Sequence, residues 1–467
     1  MSIREAPRGG FAVNTPLSIV GAGAAGLCAA LAAHEAGAEV IVLEGDALPA
    51  GSTALSAGLI PAAGTRFQQA LGISDSAEQF ASDIRRKSQD EANATTVNMV
   101  ARESCATVQW LADRYGLPFT VVDDFDYPGH SARRMHGLPS RTGVELIDRL
   151  RQTAEQQAIP VLVNARVTGL FADADRVVRG VEIQHPDGTQ DSMGCEALIL
   201  ACNGYGASRD LVARYIPEMH GAYYFGHPGN RGDALVWGQG LGAKLLHLSG
   251  YQGHGSVAHP HGVLITWAVI MEGGFQVNAT GERFSDESRG YSEQAAVVLA
   301  QPGAIAFSIF DERIAVTARQ FEDFRRAEAL GAVIEAATIP ELGNRLKLPV
   351  SALAASFAEV GCCQTAGSID RFGRVFAGRP LLSPPFKAVK VTGALFHTQG
   401  GLAIDEKARV LTKQGVHLPN LFAAGGAAAG VSGSRASGYL SGNGLLTATV
   451  LGRIGGRAAA ELVGGRK

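Results

Sequence analysis

An excess of charge of either sign is absent from this chain. Its 467 residues carry 41 Lys and Arg against 44 Asp and Glu, a formal net charge of −3. That balance gives no electrostatic reason to bind nucleic acid or an anionic membrane. Cysteine is scarce. The six (Cys28, Cys105, Cys195, Cys202, Cys362 and Cys363) form no CxxC pair and no His/Cys spacing of the zinc type. This usage agrees with a reducing compartment, no metal centre is expected, and the lack of CxxCH argues against covalent haem. No apolar run reaches the roughly 20 residues of a membrane span; the longest, Ile19 to Ala33, is glycine-rich. The opening MSIREAPRGGFAVNTP lacks the apolar core and cleavage site of a signal peptide. Together these absences predict a soluble cytoplasmic protein.

Apolar residues and glycine are plentiful. Hydrophobic residues make up 46% and charged residues 18%, enough for a sizeable core and two to three domains at this length. The 59 glycines, against 19 prolines, carry no collagen-like period and point to tight turns and close approaches of backbone to a ligand. Residues 17–45 read as an apolar strand ending at Val20, a glycine turn, an Ala/Leu-rich helix to about Ala36, and a second strand, Glu39–Leu43, closed by Glu44. Residues 76–116 and 143–158 have helical periodicity. Pro160–Phe171 and Val177–Gln184 alternate like an antiparallel hairpin, and Ala197–Ala201 reads as a buried parallel strand. From Arg231 to about Leu346 the chain is richer in His and aromatics, with a helix expected over Glu312–Ala337. Strands return at Ala388–Thr392, Leu402–Ile404 and Leu421–Ala424. The expected class is α/β: a Rossmann-like nucleotide-binding domain from both chain ends, 1–230 and 347–467, with an α+β capping domain at 231–346.

Gly21, Gly23 and Gly26 form GxGxxG between strand and helix, with Ala25 inside the turn. The first glycine permits the turn, the second admits a pyrophosphate, and the third packs helix on strand; the helix N-terminus then faces the phosphates. Glu44 stands where a carboxylate would accept ribose hydroxyls. The small-residue loop Gly51-Ser52-Thr53-Ala54-Leu55-Ser56-Ala57-Gly58-Leu59 can lie along a pyrophosphate and under a flat ring. Leu421–Gly426 gives a strand and a second glycine turn containing Gly425. Ser441-Gly442-Asn443-Gly444 opens a final helix whose N-terminus suits the pyrimidine end of a flavin.

The ordered set GAGAAG, LEG, GSTALSAG, ALILACNGYG, GDALVWGQGLGA, GERFSDES, FHTQGGL, NLFAAGG and SGNGLLTATVLGRIGGRAA resembles, from end to end, the flavoproteins grouped with fumarate reductase and 3-ketosteroid dehydrogenases. The resemblance implies FAD held by Gly21, Gly23, Ala25, Gly26 and Glu44, with Ser52, Thr53, Ala57, Gly58 and Leu59 along the pyrophosphate and isoalloxazine. It implies Val167 at the adenine, Asp233 as the Asp of a GDG, and Thr398, Gly425, Asn443 and Gly444 near the ring. The family's reductases have Glu after Ala-Ala-Gly where this chain has Gly426, so a ribitol or ring contact comes from elsewhere. The loop has no histidine at the covalent-flavin position, which implies non-covalent FAD. No second dinucleotide fingerprint is visible, so the electron acceptor is external.

The same resemblance separates two chemistries. Fumarate reductases hold a dicarboxylate with a Gln-x-His, a proton-donor Arg, a His-Thr-x-Gly-Gly and a second Arg. This chain keeps Gln252-Gly253-His254 and His397-Thr398-Gln399-Gly400-Gly401, but has Tyr291 and Tyr439 at the two arginine positions. The ketosteroid dehydrogenases carry tyrosines there, and Tyr439-Leu440-Ser441 resembles the Tyr-x-Ser of the 4-dehydrogenase type. Removing a proton alpha to a ketone needs a base and an oxyanion donor. A free Tyr, with a pKa of about 10, needs nearby positive charge to act as base at neutral pH. The catalytic candidates are Tyr291, Tyr439 and Ser441. The substrate candidates are His254, His397, Arg435 and Tyr127, the last beside Arg133, Arg134 and Arg141. The alternative is that the histidines, Tyr291 and Tyr439 are structural and the arginine cluster a solvated loop; His227 reads as a surface or loop residue. The retained histidines and Arg435 suggest a cyclic keto acid such as 4-oxocyclohexanecarboxylate. The expected activity is FAD-dependent desaturation of a cyclic ketone, a 3-ketosteroid included; the alternative is reduction of an unsaturated carboxylate.

Overall fold

Strand β1 (Val13–Val20), helix α1 (Ala24–Glu35) and strand β2 (Val40–Leu43) form the strand–turn–helix–strand unit read from the sequence. The computed structural model describes residues 2–123, 126–376 and 378–465. β1 pairs in parallel with β2 on one side and with β3 (Gln190–Leu200) on the other, and β3 pairs in parallel with β4 (His417–Ala423). Register puts Leu43 beside Val20, Val20 beside Leu200, and Leu200 beside Ala423. The next residue of each strand (Glu44, Gly21, Ala201 and Ala424) therefore leaves the sheet at one carboxyl edge, where ligands of open parallel sheets bind. The hairpin Arg166–Ala172 and Val178–Gln184 extends the sheet in antiparallel fashion through the first half of β3.

Helix α1 has no polar face over Ala24–Ala33; all ten residues are buried. One side lies on the sheet and another meets helix α2 (Asn443–Gly464). A Cβ on Gly452 would come 2.3 Å from the Ala25 carbonyl oxygen, and one on Gly456 2.2 Å from that of Ala29. Glycine at both positions sets this close helix–helix approach. The helical stretch expected at 76–116 is two helices, Ala77–Ser88 and Ala94–Tyr115. Gln89 and Asp90 break it with positive φ of 53° and 58°, and the Asn93 side chain caps the second helix by accepting from Thr96 N at 3.0 Å.

The chain divides into two compact units: Met1–Pro217, Gly226–Tyr251 and His397–Lys467 in the first, Glu218–Phe225 and Gln252–Phe396 in the second. These limits differ from the 231–346 expected for the inserted segment. Residues 347–396 fall in the second unit because helix Val350–Ala366 packs on helix Ile339–Leu346, and strand Phe386–Thr398 belongs to that unit's sheet. Ala388 of this strand lies opposite Ile309 of strand Ile305–Asp311 and opposite Ile334 of strand Val333–Ala336, both antiparallel. Phe275, Phe307, Phe310, Phe324, Phe376 and Phe386 fill the core beneath. The single helix expected over Glu312–Ala337 is instead helix Glu312–Ala318, helix Glu322–Ala329 and the strand Val333–Ala336. Gly331, with φ of 73°, stops the second helix, and the β-branched Val333 and Ile334 join the sheet.

Candidate functional site

At the carboxyl edge of the first unit, Gly21 turns with φ of 102°, and a Cβ there would come 2.7 Å from the Ala201 carbonyl oxygen. A Cβ on Gly26 would come 1.8 Å from the Gly21 carbonyl oxygen. These two glycines are sterically required. A Cβ on Gly23, at the start of α1, would meet only Thr53 Oγ1 at 3.5 Å, so the space over that turn is open. Ala25, behind it, is buried in the helix. Thr53 Oγ1 accepts from Ala24 N at 3.0 Å, tying the loop to the helix start. Glu44 accepts from Ala22 N at 2.7 Å and from Asp46 N at 3.0 Å. Ser52 Oγ accepts from Asn230 Nδ2 at 2.8 Å. His227 is more than a surface residue: it pairs with Asp46 at 2.7 Å and its backbone N–H approaches Ser52 Oγ at 3.4 Å. Residues 51–54, read as a loop, form a helical turn. Gly58 has φ of 65° and lies against Thr142, Ala57 is exposed, and Leu59 is buried. Val167 is 4% exposed and its side chain packs in the core.

Among the described residues of this unit three buried side-chain oxygens lack hydrogen-bond partners: Ser18 Oγ, within strand β1, and Asp233 Oδ1 and Asn443 Oδ1. Burial pushes the Asp233 carboxyl above its usual range, opposed by the charges of Arg166 and Arg231. The Asp233 and Asn443 oxygens suit a polyhydroxylated, hydrogen-bond-donating cofactor, and with the open turn at Gly23 they fit FAD. Gly425, with φ of 59°, sits against Ala25.

Asn443 also begins a relay. Its Nδ2 lies 3.4 Å from Ser432 Oγ, Ser432 Oγ donates to Gln399 Oε1 at 2.6 Å, and Gln399 Nε2 donates to His397 Nδ1 at 3.0 Å. Nδ1 also lies 3.3 Å from the Thr398 carbonyl oxygen. Burial lowers the His397 pKa to about 4, leaving it neutral at pH 7. The ring meets Tyr439 edge-on, centroids 5.6 Å apart, and a Cβ on Gly444 would come 2.7 Å from Nε2. Thr398, beside it, is buried and accepts from Tyr205 N at 3.3 Å.

Tyr439 and Ser441 are buried. The Ser441 carbonyl accepts from His130 Nε2 at 3.0 Å, and His130 Nδ1 lies 3.2 Å from Arg134 Nη1. Burial and then the Arg134 charge hold the His130 pKa at about 3. Arg134 is fully buried, paired with Asp75 at 2.9 Å and with Asp83 at 2.6 Å; it is not part of a solvated loop. Tyr127 packs against Leu59, Val122 and Met135 and lines a cavity of about 480 Å³ with His130, Ser131 and Arg133, within the range of small-molecule sites. Arg435 is exposed and held by Glu91 at 2.8 Å and Gln89 at 3.1 Å. Its charge is thus paired at the surface in this structure.

In the second unit Tyr291 opens helix Tyr291–Leu299 after Gly290. Its ring stacks on His254, centroids 4.8 Å apart and planes at 20°, with Trp267 edge-on to both. His254 Nδ1 accepts from Ser256 N at 3.2 Å, and burial lowers its pKa to about 3. The preceding GERFSDES segment anchors this helix. Arg283 pairs with Glu287 at 3.0 Å and Asp370 at 2.5 Å, Arg374 pairs with Glu287 at 2.8 Å, and Glu287 accepts from Gln276 N at 2.9 Å. Burial alone would raise the Glu287 pKa; Arg374 and Arg283 outweigh it and hold the group ionised.

Residues 17–445 match the family model described as FAD binding domain. The chain belongs to this family. It is 31% identical to the probable fumarate reductase Ifc3 of Shewanella frigidimarina (strain NCIMB 400), over 98% of this chain and 77% of that protein. Among solved structures, the open conformation of a flavocytochrome c3 fumarate reductase superposes with a TM-score of 0.82 at 30% identity, covering 97% of this chain and 79% of that one. The 3-ketosteroid-delta4-(5alpha)-dehydrogenase of Rhodococcus jostii RHA1 shares the fold with a TM-score of 0.78 at 24% identity, covering 98% of this chain and all of that one. The protein is therefore an FAD-dependent oxidoreductase of the fumarate reductase family, acting on carbon–carbon bonds. None of the helices among the described residues is long and apolar enough to cross a membrane.

Within this family member, the first unit brings Thr53, Glu44, Asn443, His397, Tyr439 and Ser441 into hydrogen-bonded or ring-contact groups and leaves Asp233 Oδ1 without a partner among the described residues, and the second unit pairs Tyr291 with His254. Sequence reasoning missed the relay Ser432–Gln399 and the Asp75–Arg134–His130 support of Ser441. Gln399 stood inside a quoted motif, but nothing local marked its partner Ser432.

Proposed function

We propose that the protein desaturates a cyclic ketone to the conjugated enone. FAD, held non-covalently by the first unit, supplies the hydride acceptor. Tyr291, as phenolate, takes the proton alpha to the carbonyl. Tyr439, its ring set by neutral His397, donates to the ketone oxygen as enolate charge develops. Loss of the beta hydrogen as hydride would then give the carbon–carbon double bond, with an external compound as the final electron acceptor. Ser441 completes the Tyr-x-Ser turn.

The observation that supports this reading is the absence of usable positive charge on the expected carboxylate-binding residues. Tyrosines occupy both arginine positions, His254 and His397 are neutral at pH 7, and Arg435 is matched by Glu91. A dicarboxylate needs cations; a ketone needs neutral donors. The same charge state favours an uncharged cyclic ketone, 3-ketosteroids included, over 4-oxocyclohexanecarboxylate. The second reading, reduction of an unsaturated carboxylate, draws on the name of the fumarate reductase relative and on the retained His254 and His397.

Anaerobic mixing of the oxidised holoenzyme with cyclohexanone derivatives, 4-oxocyclohexanecarboxylate, a 3-ketosteroid and succinate tests the two readings. A ketone is expected to bleach the flavin and succinate to leave it yellow. Rapid reoxidation of the reduced enzyme by fumarate, with every ketone inert, would establish the second reading instead.

A further inference from the structure

Asn203 and Gly426 compete for one space at the carboxyl edge of the first unit's sheet. Asn203 follows the end of β3 in the left-handed region, with φ of 66°. Asparagine tolerates that conformation better than most residues, but glycine adopts it without steric cost. Its Oδ1 accepts from Gly204 N at 2.8 Å, which fixes the amide orientation. Its Nδ2 donates to no group among the described residues, and the side chain is half-buried. A Cβ built on Gly426 would come 2.1 Å from that Oδ1. A side chain at 426 would therefore push the Asn203 amide out of its present position. Gly204, next in the turn, is pressed against Thr398, whose Oγ1 would lie 2.0 Å from a Cβ there.

We infer that Asn203 is a flavin-binding residue whose Nδ2 donates to an acceptor on the riboflavin half of FAD, in the space a side chain at 426 would otherwise fill. Three observations converge on this. The residue sits at the sheet edge where Gly21 and Glu44 emerge, and the same turn leads to Thr398, placed at the ring by the family resemblance. Glycine at 426 leaves the space to the amide. A strained conformation that glycine would adopt freely is held by a residue with an idle donor, which is the pattern of strain retained for a contact.

The test is a pair of substitutions read by FAD affinity, from fluorescence titration of the apoprotein. Asn203→Gly keeps the left-handed turn and removes the donor. The dissociation constant for FAD should rise about 3- to 10-fold, the worth of one neutral hydrogen bond, while affinity for ADP, which lacks the riboflavin half, stays within about twofold. Gly426→Ala should weaken FAD by a similar factor in the wild-type background, by displacing the amide, and have little further effect in the Asn203→Gly background. Melting of each apoprotein reports any loss of fold separately. Unchanged FAD affinity in Asn203→Gly, an equal loss for ADP, or additive losses in the pair would each overturn the assignment.

Discussion

Replacing Asp233 by Asn perturbs the cofactor cradle in two measurable ways of opposite sign. The carboxylate is buried, Oδ1 has no partner, and the nearest guanidinium, that of Arg166, is 3.7 Å from Oδ2, too far for a hydrogen bond. Burial raises its pKa in the folded apoprotein. The unfolded chain therefore ionises this group first as pH rises, so the group costs stability above about pH 4, a cost that grows until the folded-state carboxyl has ionised as well. Asn has the same shape without the charge. The Asn apoprotein should melt at the same or a higher temperature at pH 7, and the gap should close toward pH 3. FAD binding should move the other way. A hydroxyl donating to a charged acceptor is worth about 1.5–3 kcal/mol and to a neutral one about 0.5–1.5. The difference of about 1–1.5 kcal/mol weakens FAD about 5- to 12-fold in Asp233→Asn, and loss of the whole contact in Asp233→Ala weakens it about 10- to 150-fold. Scanning fluorimetry across pH and flavin titration provide the two readouts. An Asn variant that is less stable as apoprotein at pH 7 and binds FAD as tightly as wild type would refute the role.

Tyr291→Phe should retain FAD yet slow ketone-driven bleaching by about 10²–10⁴-fold, and should lose the rise in rate with pH that the wild type shows as the phenol ionises; an unchanged profile in rapid mixing would make Tyr291 structural. Tyr439→Phe should cost about 10²–10³-fold in the same assay. Arg134→Met leaves Asp75 and Asp83 buried without their cation and should cost about 3–5 kcal/mol of unfolding free energy in urea titrations. Asp83 has its pKa lowered, since Ser131 and Arg134 outweigh the opposing effect of burial, so the wild type should lose that contribution as pH falls below about 4. Glu44→Arg should lower the FAD content of purified protein, and full flavin occupancy in that variant would remove Glu44 from the binding residues.

The flavin edge was legible because its signal is local. Gly21, Gly26 and Glu44 lie within one strand–helix–strand unit, and steric need fixes the residue type. Arg134 was not legible, because its carboxylates lie 59 and 51 residues away along the chain and only folding reveals that a loop arginine is a buried cation. The pairing of Arg435 was not legible for the converse reason: a cation near the expected position says nothing about Glu91, which pairs with it. The segment at 312–337 shows a third limit. Its charged periodicity reads as one helix, while Gly331 and the demand of the sheet for an edge at Val333–Ala336 divide it.

Helix α1, apolar on every face, is covered in part by α2, and the two stand at opposite ends of the described chain. During synthesis the glycine turn and α1 emerge long before β4 and α2 exist. The growing polypeptide thus carries an uncovered apolar helix and an open edge on β3, a state that invites aggregation and chaperone engagement. Contacts of such sequence separation make closure of the sheet a slow step. Loading of the flavin is accordingly a post-translational event, and chains cut short before α2 are expected to leave the ribosome colourless.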